Sequence, residues 1–120
     1  MCIRDSAKSG VSGAGKAPTA KTHYMYAADN LSAYAVFGHR HTGELLEQIG
    51  VGNADIVFTP HLLPIPRGIM STIYLRFKNT QTRESVAEIY RTFFAGSPMV
   101  RLYEHALPQI QYSVLSLIHI

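Results

Sequence analysis

The densest group of chemically active side chains is the motif GHRHTGE, which holds two histidines, an arginine and a glutamate. His39 and His41 are two residues apart, so on a strand both would point to one face. With Glu44 or His61 as further ligands, the pair would be half of a zinc site. Alternatively, one histidine is an acid–base group and Arg40 binds an anionic substrate, or both histidines lie on the surface near a helix start. The motif leaves these three interpretations open.

The glycine-rich stretch KSGVSGAGKAPT has the outline of a phosphate-binding loop. Gly10, Gly15 and Lys16 fit the pattern G-x-x-x-x-G-K. Ala17, however, stands where such a loop needs a hydroxyl for magnesium, and APTAKT has no helical apolar period. The upstream residues MCIRDSA leave no room for a buried strand. We therefore interpret the stretch as a Gly/Ser-rich turn whose free backbone N–H groups can approach a ligand closely.

The composition is that of a globular chain with one small core. The chain has 120 residues, of which 47% are hydrophobic and 16% charged. Its net charge of +3 comes from scattered basic residues, so no tail for nucleic acid is indicated. No apolar run approaches the length of a membrane span. The chain has a single cysteine, Cys2, which excludes a disulfide framework within it.

Two elements are predicted around the GHRHTGE motif. Tyr34–Phe37 reads as a short strand that leads into the histidines. TGELLEQIG has a helical apolar face, so a short helix is predicted there, with Thr42 as its cap and Gly50 as its end. A further strand begins at Ile56–Phe58, and the prolines at 60, 64 and 66 predict an extended, irregular loop after it.

The second half of the sequence predicts a long strand and a well-marked helix. Gly68–Lys78 alternates in the manner of a strand but is apolar on both faces, which is typical of a central strand covered on both sides. The helix is expected over 83–95, with Thr82 as its cap and Gly96 as its end. One strand face is expected to pack on this helix. The opposite face, which carries Met70, Thr72 and Tyr74, is expected to form a subunit interface.

The remaining elements complete an α+β prediction. MVRLYE reads as a strand, and LPQIQYSV as an extended segment. The order of elements predicts a mixed or antiparallel sheet with helices on one face.

The two ends of the chain are predicted to be foreign to it. MCIRDS and LSLIHI are what the two strands of one inverted nucleotide sequence encode, and that sequence resembles the transposon end used in sequencing-library adapters. Residues 1–6 and 115–120 are therefore expected to be adapter-derived, and they are set aside from fold reasoning as fusion scars are. Residues 7–114 are expected to be an internal slice of a longer metagenomic reading frame. Cys2 then lies in the foreign part.

Four segments occur in the order and spacing of one enzyme family: KSGVSGAGK, GHRHTGE, FTPHLLPIPRGIMSTIYLRF, and SPMVRLYE with LPQIQYSV. Through them the chain resembles N-acetyl-gamma-glutamyl-phosphate reductase, the NADPH-dependent enzyme of arginine biosynthesis. Ser6 stands where the family usually has Asp, as an adapter junction would produce, and Gly43 where it generally has Pro. The resemblance implies an upstream Rossmann domain. It also implies a catalytic domain similar to the C-terminal domain of glyceraldehyde-3-phosphate dehydrogenase, of which this chain is a partial domain.

The resemblance also implies a mechanism and a set of roles. A cysteine thiolate attacks the acyl phosphate, hydride from NADPH reduces the thioester, and a histidine moves protons, which is the role that His39 matches. The positions implied to bind substrate are Arg40, His41 and Glu44. The positions implied to approach the NADP cofactor are Ser12 and Gly13. The nucleophilic cysteine would lie upstream of Ala7, so the chain as given is expected to be inactive.

The same resemblance sets the expected partners. It implies a cytoplasmic enzyme that takes a small acyl phosphate and forms homo-oligomers through this domain, with neither nucleic acid nor a membrane as partner. One alternative is a sister reductase of lysine biosynthesis, which acts on a longer or carrier-bound acyl phosphate. Another is a non-catalytic dimerisation module, or a metal site built on His39, His41 and His61.

Overall fold

The computed structural model describes residues 2–112 and 118–119 and contains two compact units, Met1–Arg76 and Phe77–Ile120. The strands are β1 (Cys2–Gly10), β2 (Ser32–Ala33), β3 (Ile56–Leu63), β4 (Ile69–Arg76), β5 (Val100–Arg101) and β6 (Ile118–His119). The helices are α1 (Tyr24–Ala27), α2 (Thr42–Ile49) and α3 (Arg83–Phe93). In the described part of the chain, no helix combines the length and hydropathy that crossing a bilayer requires.

The first unit is built on a four-stranded mixed sheet with the order β2-β3-β1-β4. β1 runs parallel to β3 and antiparallel to β4, while β2 is antiparallel to β3. The predicted mixed sheet is therefore confirmed. The predicted central position of the strand within Gly68–Lys78 is wrong, because β4 lies at an edge and the two inner strands are β3 and β1.

β1 is the element that the sequence reasoning missed. MCIRDSA was expected to leave no room for a buried strand, yet a nine-residue strand begins at Cys2, and Ile3 and Ala7 are buried on it. Residues 2–6, which were set aside as adapter-derived, therefore take part in the sheet. A strand does precede the glycine-rich turn, but only a four-residue 3-10 turn, Val11–Ala14, follows it. The turn still lacks the helix that a phosphate-binding loop needs.

β3 continues through Pro60, where the sequence predicted that the strand would give way to a loop. Tyr34 donates its backbone N–H to the Pro60 carbonyl (3.0 Å), so this side of Pro60 faces β2. The N–H that proline lacks would point to the same side, where β2 has already ended at Ala33. Because no ladder bond is required there, the strand tolerates the proline and runs on to Leu63.

The sheet of the first unit has a core face and an open face. The core face carries Ile3, Asp5, Ala7, Ser9, Ile56, Phe58, Pro60, Leu62, Ile69, Ser71, Ile73 and Leu75. The open face carries Cys2, Arg4, Ser6, Lys8, Val57, Thr59, His61, Leu63, Met70, Thr72, Tyr74 and Arg76. Four of the core-face residues are buried, namely Ile3, Ala7, Ile56 and Pro60, whereas no side chain of the open face is buried. The cover of the core face is limited to β1 and β3, because on β4 the core-face residues Ile69, Ile73 and Leu75 are exposed.

The segments around α2 differ from the prediction at their starts. Tyr34–Phe37 was expected to be a strand, but the strand is Ser32–Ala33 and the following residues form turns. Thr42 was expected to cap the helix, yet it is the first helical residue, and His41 holds the cap position without a side-chain cap bond. The predicted end is confirmed, because Gly50 adopts the left-handed conformation (φ 67°) that favours glycine.

α3 matches its sequence signals closely. The Thr82 side chain accepts from the Ser85 amide, and the Ser85 side chain accepts from the Thr82 amide, which forms a capping box. The helix ends at Phe93, two residues before the predicted end at 95, and Gly96 follows in a left-handed conformation. The packing of α3 on β4 stays a prediction, since the helix belongs to the second unit.

The end of the chain is less regular than predicted. The strand expected over MVRLYE is reduced to β5, which pairs in parallel with β6. β6 itself lies within residues 115–120, the second segment that was set aside as foreign. In the predicted extended segment LPQIQYSV, Ile110–Tyr112 form a 3-10 turn instead. Ser113 and Val114 lie outside the described residues.

Asp5 is poorly accommodated on the core face of β1. It lies opposite Phe58 and Ile73, and its Oδ1 atom is buried without a hydrogen-bond partner among the described residues. Burial raises the pKa of Asp5 above the usual value of 3.8, although Ser71 and the charge of Lys8 act in the opposite direction. A raised carboxyl pKa means that stability is greatest below the unfolded-state pKa and falls as the pH rises through the folded-state pKa.

We expect Asp5→Val to stabilise the chain at pH 7 by roughly 1 kcal/mol or more, because it removes an unsatisfied buried oxygen and suits a strand. The gain should shrink towards pH 3, where the wild-type carboxyl is protonated in both states. Urea unfolding at the two pH values measures it. Arg4→Val on the open face is the matched control, and any change in stability that it causes should not depend on pH. If Asp5→Val lost stability instead, the Asp5 carboxylate must have hydrogen-bond partners in the folded chain.

Candidate active site

A tightly turned loop carries the histidine motif from β2 to α2. Ala35 and Phe37 have positive φ angles of 45° and 60°, which are unfavourable for residues with a side chain. The Gly38 amide donates to the Ala35 carbonyl (3.0 Å), and the Thr42 amide donates to the His39 carbonyl (2.9 Å). Strained backbone of this kind persists only where the surroundings hold it, and it concentrates at functional sites.

His39 is half-buried in an aromatic setting. Its ring meets Tyr34, Phe58 and His41 edge-on, with centroid separations of 5.6, 5.2 and 4.8 Å. Phe58 lies on the core face of β3, so this contact seats the histidine against the sheet. The sequence pointed to His39 but not to Tyr34 or Phe58, because neither stands at a spacing that marks a contact with the motif.

The hydrogen bonds of the motif define its proton positions. The His41 amide donates to Nδ1 of His39 (3.3 Å), so a neutral His39 carries its proton on Nε2. In turn, Nε of Arg40 donates to Nε2 of His41 (3.2 Å), which leaves the His41 proton on Nδ1. Part of the Arg40 guanidinium is thus committed within the motif, while its terminal NH2 groups have no side-chain partner among the described residues.

The electrostatic setting favours the neutral form of His39. Burial lowers the pKa of His39 below 6.5, and the positive charges of His41 and Arg40 lower it further. Because Nδ1 already accepts a hydrogen bond, protonation there would also break that bond. A neutral imidazole with its proton on Nε2 can donate a hydrogen bond to an oxygen that gains negative charge, and an imidazolium at the same place can give that oxygen a proton.

Glu44 does not join this group. It lies in the first turn of α2, exposed, and makes no hydrogen bond or ion pair with the histidines in the described part of the chain. Its carboxylate suits the positive end of a helix, which accounts for its place there.

The backbone N–H groups at the start of the turn that holds Ser12 and Gly13 are not free, contrary to the prediction. The amides of Gly10, Val11 and Ser12 donate to the carbonyls of residues 68, 65 and 66, at 2.8, 3.0 and 3.1 Å. A Cβ on Gly10 would come within 2.8 Å of the Arg67 amide nitrogen, so this glycine is required for the approach. At Gly13 an added Cβ would meet nothing closer than Ser9 Oγ at 3.5 Å. The close approach is therefore made to the chain's own 65–68 loop.

The two predicted parts of the site lie at different levels of the sheet. His39 contacts β3 at Phe58, whereas the Ser12 turn adjoins the loop that follows Leu63. Five residues of strand separate these positions, which is about 16 Å. The structure thus brings His39, Arg40 and His41 together but does not bring Ser12 and Gly13 to them.

The alternative metal site on three histidines is not assembled. His61 lies on the open face, with Nδ1 at 3.2 Å from the Ala7 carbonyl oxygen, while His39 contacts the core face. Within residues 2–112 and 118–119, no group of three or more His, Cys, Asp or Glu side chains is placed to hold a metal ion. Cys2 also lies on the open face, away from the Phe58 side where His39 is seated.

Comparison with known proteins gives consistent matches over most of the chain. The profile of the semialdehyde dehydrogenase dimerisation domain matches residues 3–117. N-acetyl-gamma-glutamyl-phosphate reductase of Caldicellulosiruptor saccharolyticus is 41% identical over 108 residues, covering 88% of this chain and 32% of the relative. The proteins of the same name from Desulforamulus reducens and Staphylococcus aureus (strain Mu3) are 46% and 39% identical over 99 residues, covering 80% of this chain and 29% of each relative. The chain thus spans about a third of the length of these curated relatives.

We expect the pKa of His39 to lie below 6.5, because burial and the electrostatic influence of His41 and Arg40 disfavour the His39 imidazolium. NMR titration of the ring protons measures the midpoint. His41→Gln should raise the His39 midpoint, because it removes one of the two neighbouring groups that lower it. Since the folded-state pKa is lowered, the contribution of His39 to stability is present above pH 6.5 and is lost as the pH falls through its folded pKa. A His39 midpoint above 6.5 would contradict the packing described.

Proposed function

Because the chain belongs to the semialdehyde dehydrogenase dimerisation-domain family, we propose that it is part of an NADP-dependent reductase that converts N-acetyl-gamma-glutamyl phosphate to the semialdehyde. The observation that carries the proposal is His39, half-buried against Tyr34 and Phe58 with its Nδ1 occupied. The names of the relatives favour the glutamyl substrate over the longer acyl phosphate of lysine biosynthesis.

His39 is the acid–base group in this proposal. NADPH, when bound, supplies the hydride that reduces the reacting carbonyl carbon. In its imidazolium form, His39 passes the Nε2 proton to the oxygen of that carbonyl as it gains negative charge, and the neutral ring that results takes a proton back when the aldehyde is released. The lowered pKa makes this imidazolium a stronger proton donor.

Two further roles complete the site. The terminal NH2 groups of Arg40 bind the carboxylate or phosphate of the substrate, since Nε is already donated to His41. That donation supports His41 as a residue that orients the arginine, with Glu44 nearby as a further substrate contact. On the cofactor side, Ser12 meets NADP through its exposed side chain and Gly13 through its open backbone, because the Ser12 amide is bonded to Pro66.

The proposal also includes the origin of the chain's ends. Residues 1–6 and 115–120 are adapter-derived, and residues 7–114 are an internal slice of the catalytic and dimerisation domain. Asp5 supports this assignment, because it places a carboxyl with an unpaired buried oxygen on the core face of the inner strand. The profile match covers residues 3–117, so it includes part of each of these terminal segments.

The histidine assignment is tested in a chimera in which the upstream half of the Caldicellulosiruptor saccharolyticus relative is joined to this chain. His39→Ala should lower the rate of semialdehyde formation by roughly 10²–10⁴-fold, the usual share of general acid–base catalysis. His41→Ala should lose less, and His23→Ala, which alters an exposed histidine outside the motif, should match the parent. If His41→Ala lowered the rate more than His39→Ala, the acid–base role would belong to His41.

The chain without the upstream half is the negative control in this assay. Its single cysteine, Cys2, lies on the open face, so no thiolate faces His39 and no turnover is expected. Turnover above background in either direction would contradict the covalent mechanism.

The open face is the proposed surface for association with a second copy. It leaves Met70 and Tyr74 exposed on β4, with Thr72 between them, and an uncovered apolar sheet face is an association site. The dimerisation role of the matched domain supports this use of the face.

We expect Tyr74→Lys to weaken self-association, measured by sedimentation over a range of concentrations, because it places a charge within the proposed interface. Tyr26→Lys is the matched control, since Tyr26 is 65% exposed and Tyr74 66%, but Tyr26 lies off the sheet on α1. Helix content should stay unchanged in both variants. If the two variants associated equally, the proposed interface would be wrong. If Tyr74→Lys unfolded the chain, Tyr74 would belong to an internal core.

A further inference from the structure

The loop from Tyr34 to His39 begins and ends against the same strand, β3. At its start, the Tyr34 amide donates to the Pro60 carbonyl (3.0 Å). At its end, the His39 ring meets Phe58 edge-on, with the centroids 5.2 Å apart. Phe58 and Pro60 are two residues apart on the core face, which is about 7 Å along the strand. The loop therefore leaves β3 and returns to it almost at the same place, so its first and last side chains lie close together.

The contact between the Tyr34 and His39 rings closes this loop. Their centroids are 5.6 Å apart and the rings are inclined at 66°, which is the edge-to-face arrangement that aromatic pairs favour. Both residues are half-buried. The side chains between them take no part in closing the loop, because Ala35, Val36 and Phe37 are exposed, Phe37 by 81%. Within the loop, Tyr34 is therefore the residue that holds His39.

The backbone between the two rings is in an unfavourable conformation. Ala35 and Phe37 both have positive φ angles, and such angles persist only where other contacts hold them. Two contacts within the loop do so, namely the ring pair of Tyr34 and His39 and the bond from the Gly38 amide to the Ala35 carbonyl (3.0 Å). Removal of the Tyr34 ring should therefore let the loop relax and leave the His39 imidazole freer to turn.

The orientation of the His39 ring matters because its two nitrogens are placed differently. Nδ1 accepts from the His41 amide (3.3 Å), whereas Nε2 has no hydrogen-bond partner within the described residues. Nε2 is therefore the nitrogen that a substrate can meet. The Tyr34 hydroxyl likewise makes no hydrogen bond in the described part of the chain, so the contact with His39 is made by the ring alone.

We propose that Tyr34 is a positioning residue whose aromatic ring, and not its hydroxyl, holds the His39 imidazole with Nε2 available to the substrate. The holding of the ring is a property of this chain by itself, whereas its effect on the reaction rests on the acid–base role proposed for His39. A displacement of about 1 Å can cost a factor of about 10² in rate. An imidazole that turns freely would thus be a poor acid–base group with its chemistry intact.

NMR of the imidazole nitrogens in the 120-residue chain tests whether Tyr34 holds the ring, because their shifts distinguish the two neutral tautomers. At alkaline pH, the parent and Tyr34→Phe should both show His39 protonated on Nε2, and Tyr34→Ala should show a mixture of tautomers. Tyr90→Ala is the matched control, since Tyr90 is also half-buried and its ring stacks on Phe94 in α3. It should leave the His39 shifts unchanged. A single Nε2 tautomer in Tyr34→Ala would overturn the proposal.

Circular dichroism of each variant verifies the fold. If Tyr34→Ala did not fold, Tyr34→Leu would replace it in both experiments, because leucine fills part of the space without supplying a ring. The same two outcomes, a mixture of tautomers or a single one, then decide the proposal.

The chimera with the upstream half of the relative tests the effect on the reaction. Tyr34→Ala should lower kcat by roughly 10–10²-fold with KM for the acyl phosphate nearly unchanged, and Tyr34→Phe should match the parent. In the His39→Ala background, Tyr34→Ala should cause no further loss, because residues that act through one group are not additive. Equal losses in Tyr34→Phe and Tyr34→Ala would assign the role to the hydroxyl. A full further loss in the His39→Ala background would show that Tyr34 acts without His39. Either result would overturn the proposal.

The two experiments separate this proposal from the proposed function. If His39→Ala left the rate of the chimera unchanged, the acid–base role of His39 would be wrong, and the NMR experiment would still decide whether Tyr34 holds the ring. If Tyr34→Ala released the ring but kept the parent kcat, the positioning role would be wrong and the acid–base role would stand.

Discussion

The pairing of β1 with two strands at once is the constraint on which the first unit depends. β3 and β4 are joined by a short loop but do not pair with each other, because β1 lies between them and bonds to both. The parallel pairing fixes the level of Phe58 beside Asp5, and Phe58 in turn seats His39. At the other end of β1, three successive amides bind the 65–68 loop. The position of the proposed catalytic histidine and the shape of the proposed cofactor turn thus both follow from this one strand.

The elements with a strong local signal were predictable from sequence. α3 has a capping residue, an apolar helical stripe and a terminal glycine, and β4 is rich in the apolar residues that favour strands, so both were placed within a few residues. β1 was missed because residues 1–6 were set aside as adapter-derived, and because the partners that stabilise the strand are remote in sequence. The edge position of β4 was also missed, since apolar residues on both faces indicate cover without saying which element provides it.

The site shows the same division between local and long-range information. Residue types and spacing identified His39, Arg40 and His41, which the loop does bring together. The aromatic contacts with Tyr34 and Phe58 could not be read from spacing, because they depend on the turns at Ala35 and Phe37 and on the register of β3. The expectation of free amides at Ser12 failed for a related reason. Glycines indicate an open backbone, but they do not reveal that another loop of the same chain already occupies it.

Pro60 lies at the point where the chain of β2 leaves β3. The last bond between them runs from the Tyr34 amide to the Pro60 carbonyl. Because proline lacks an N–H, the reciprocal bond to the Tyr34 carbonyl that would extend the pairing cannot form. The segment that follows is the one that turns back to place His39 on Phe58. The proline therefore stands where the paired edge of the sheet gives way to the loop that carries the histidine.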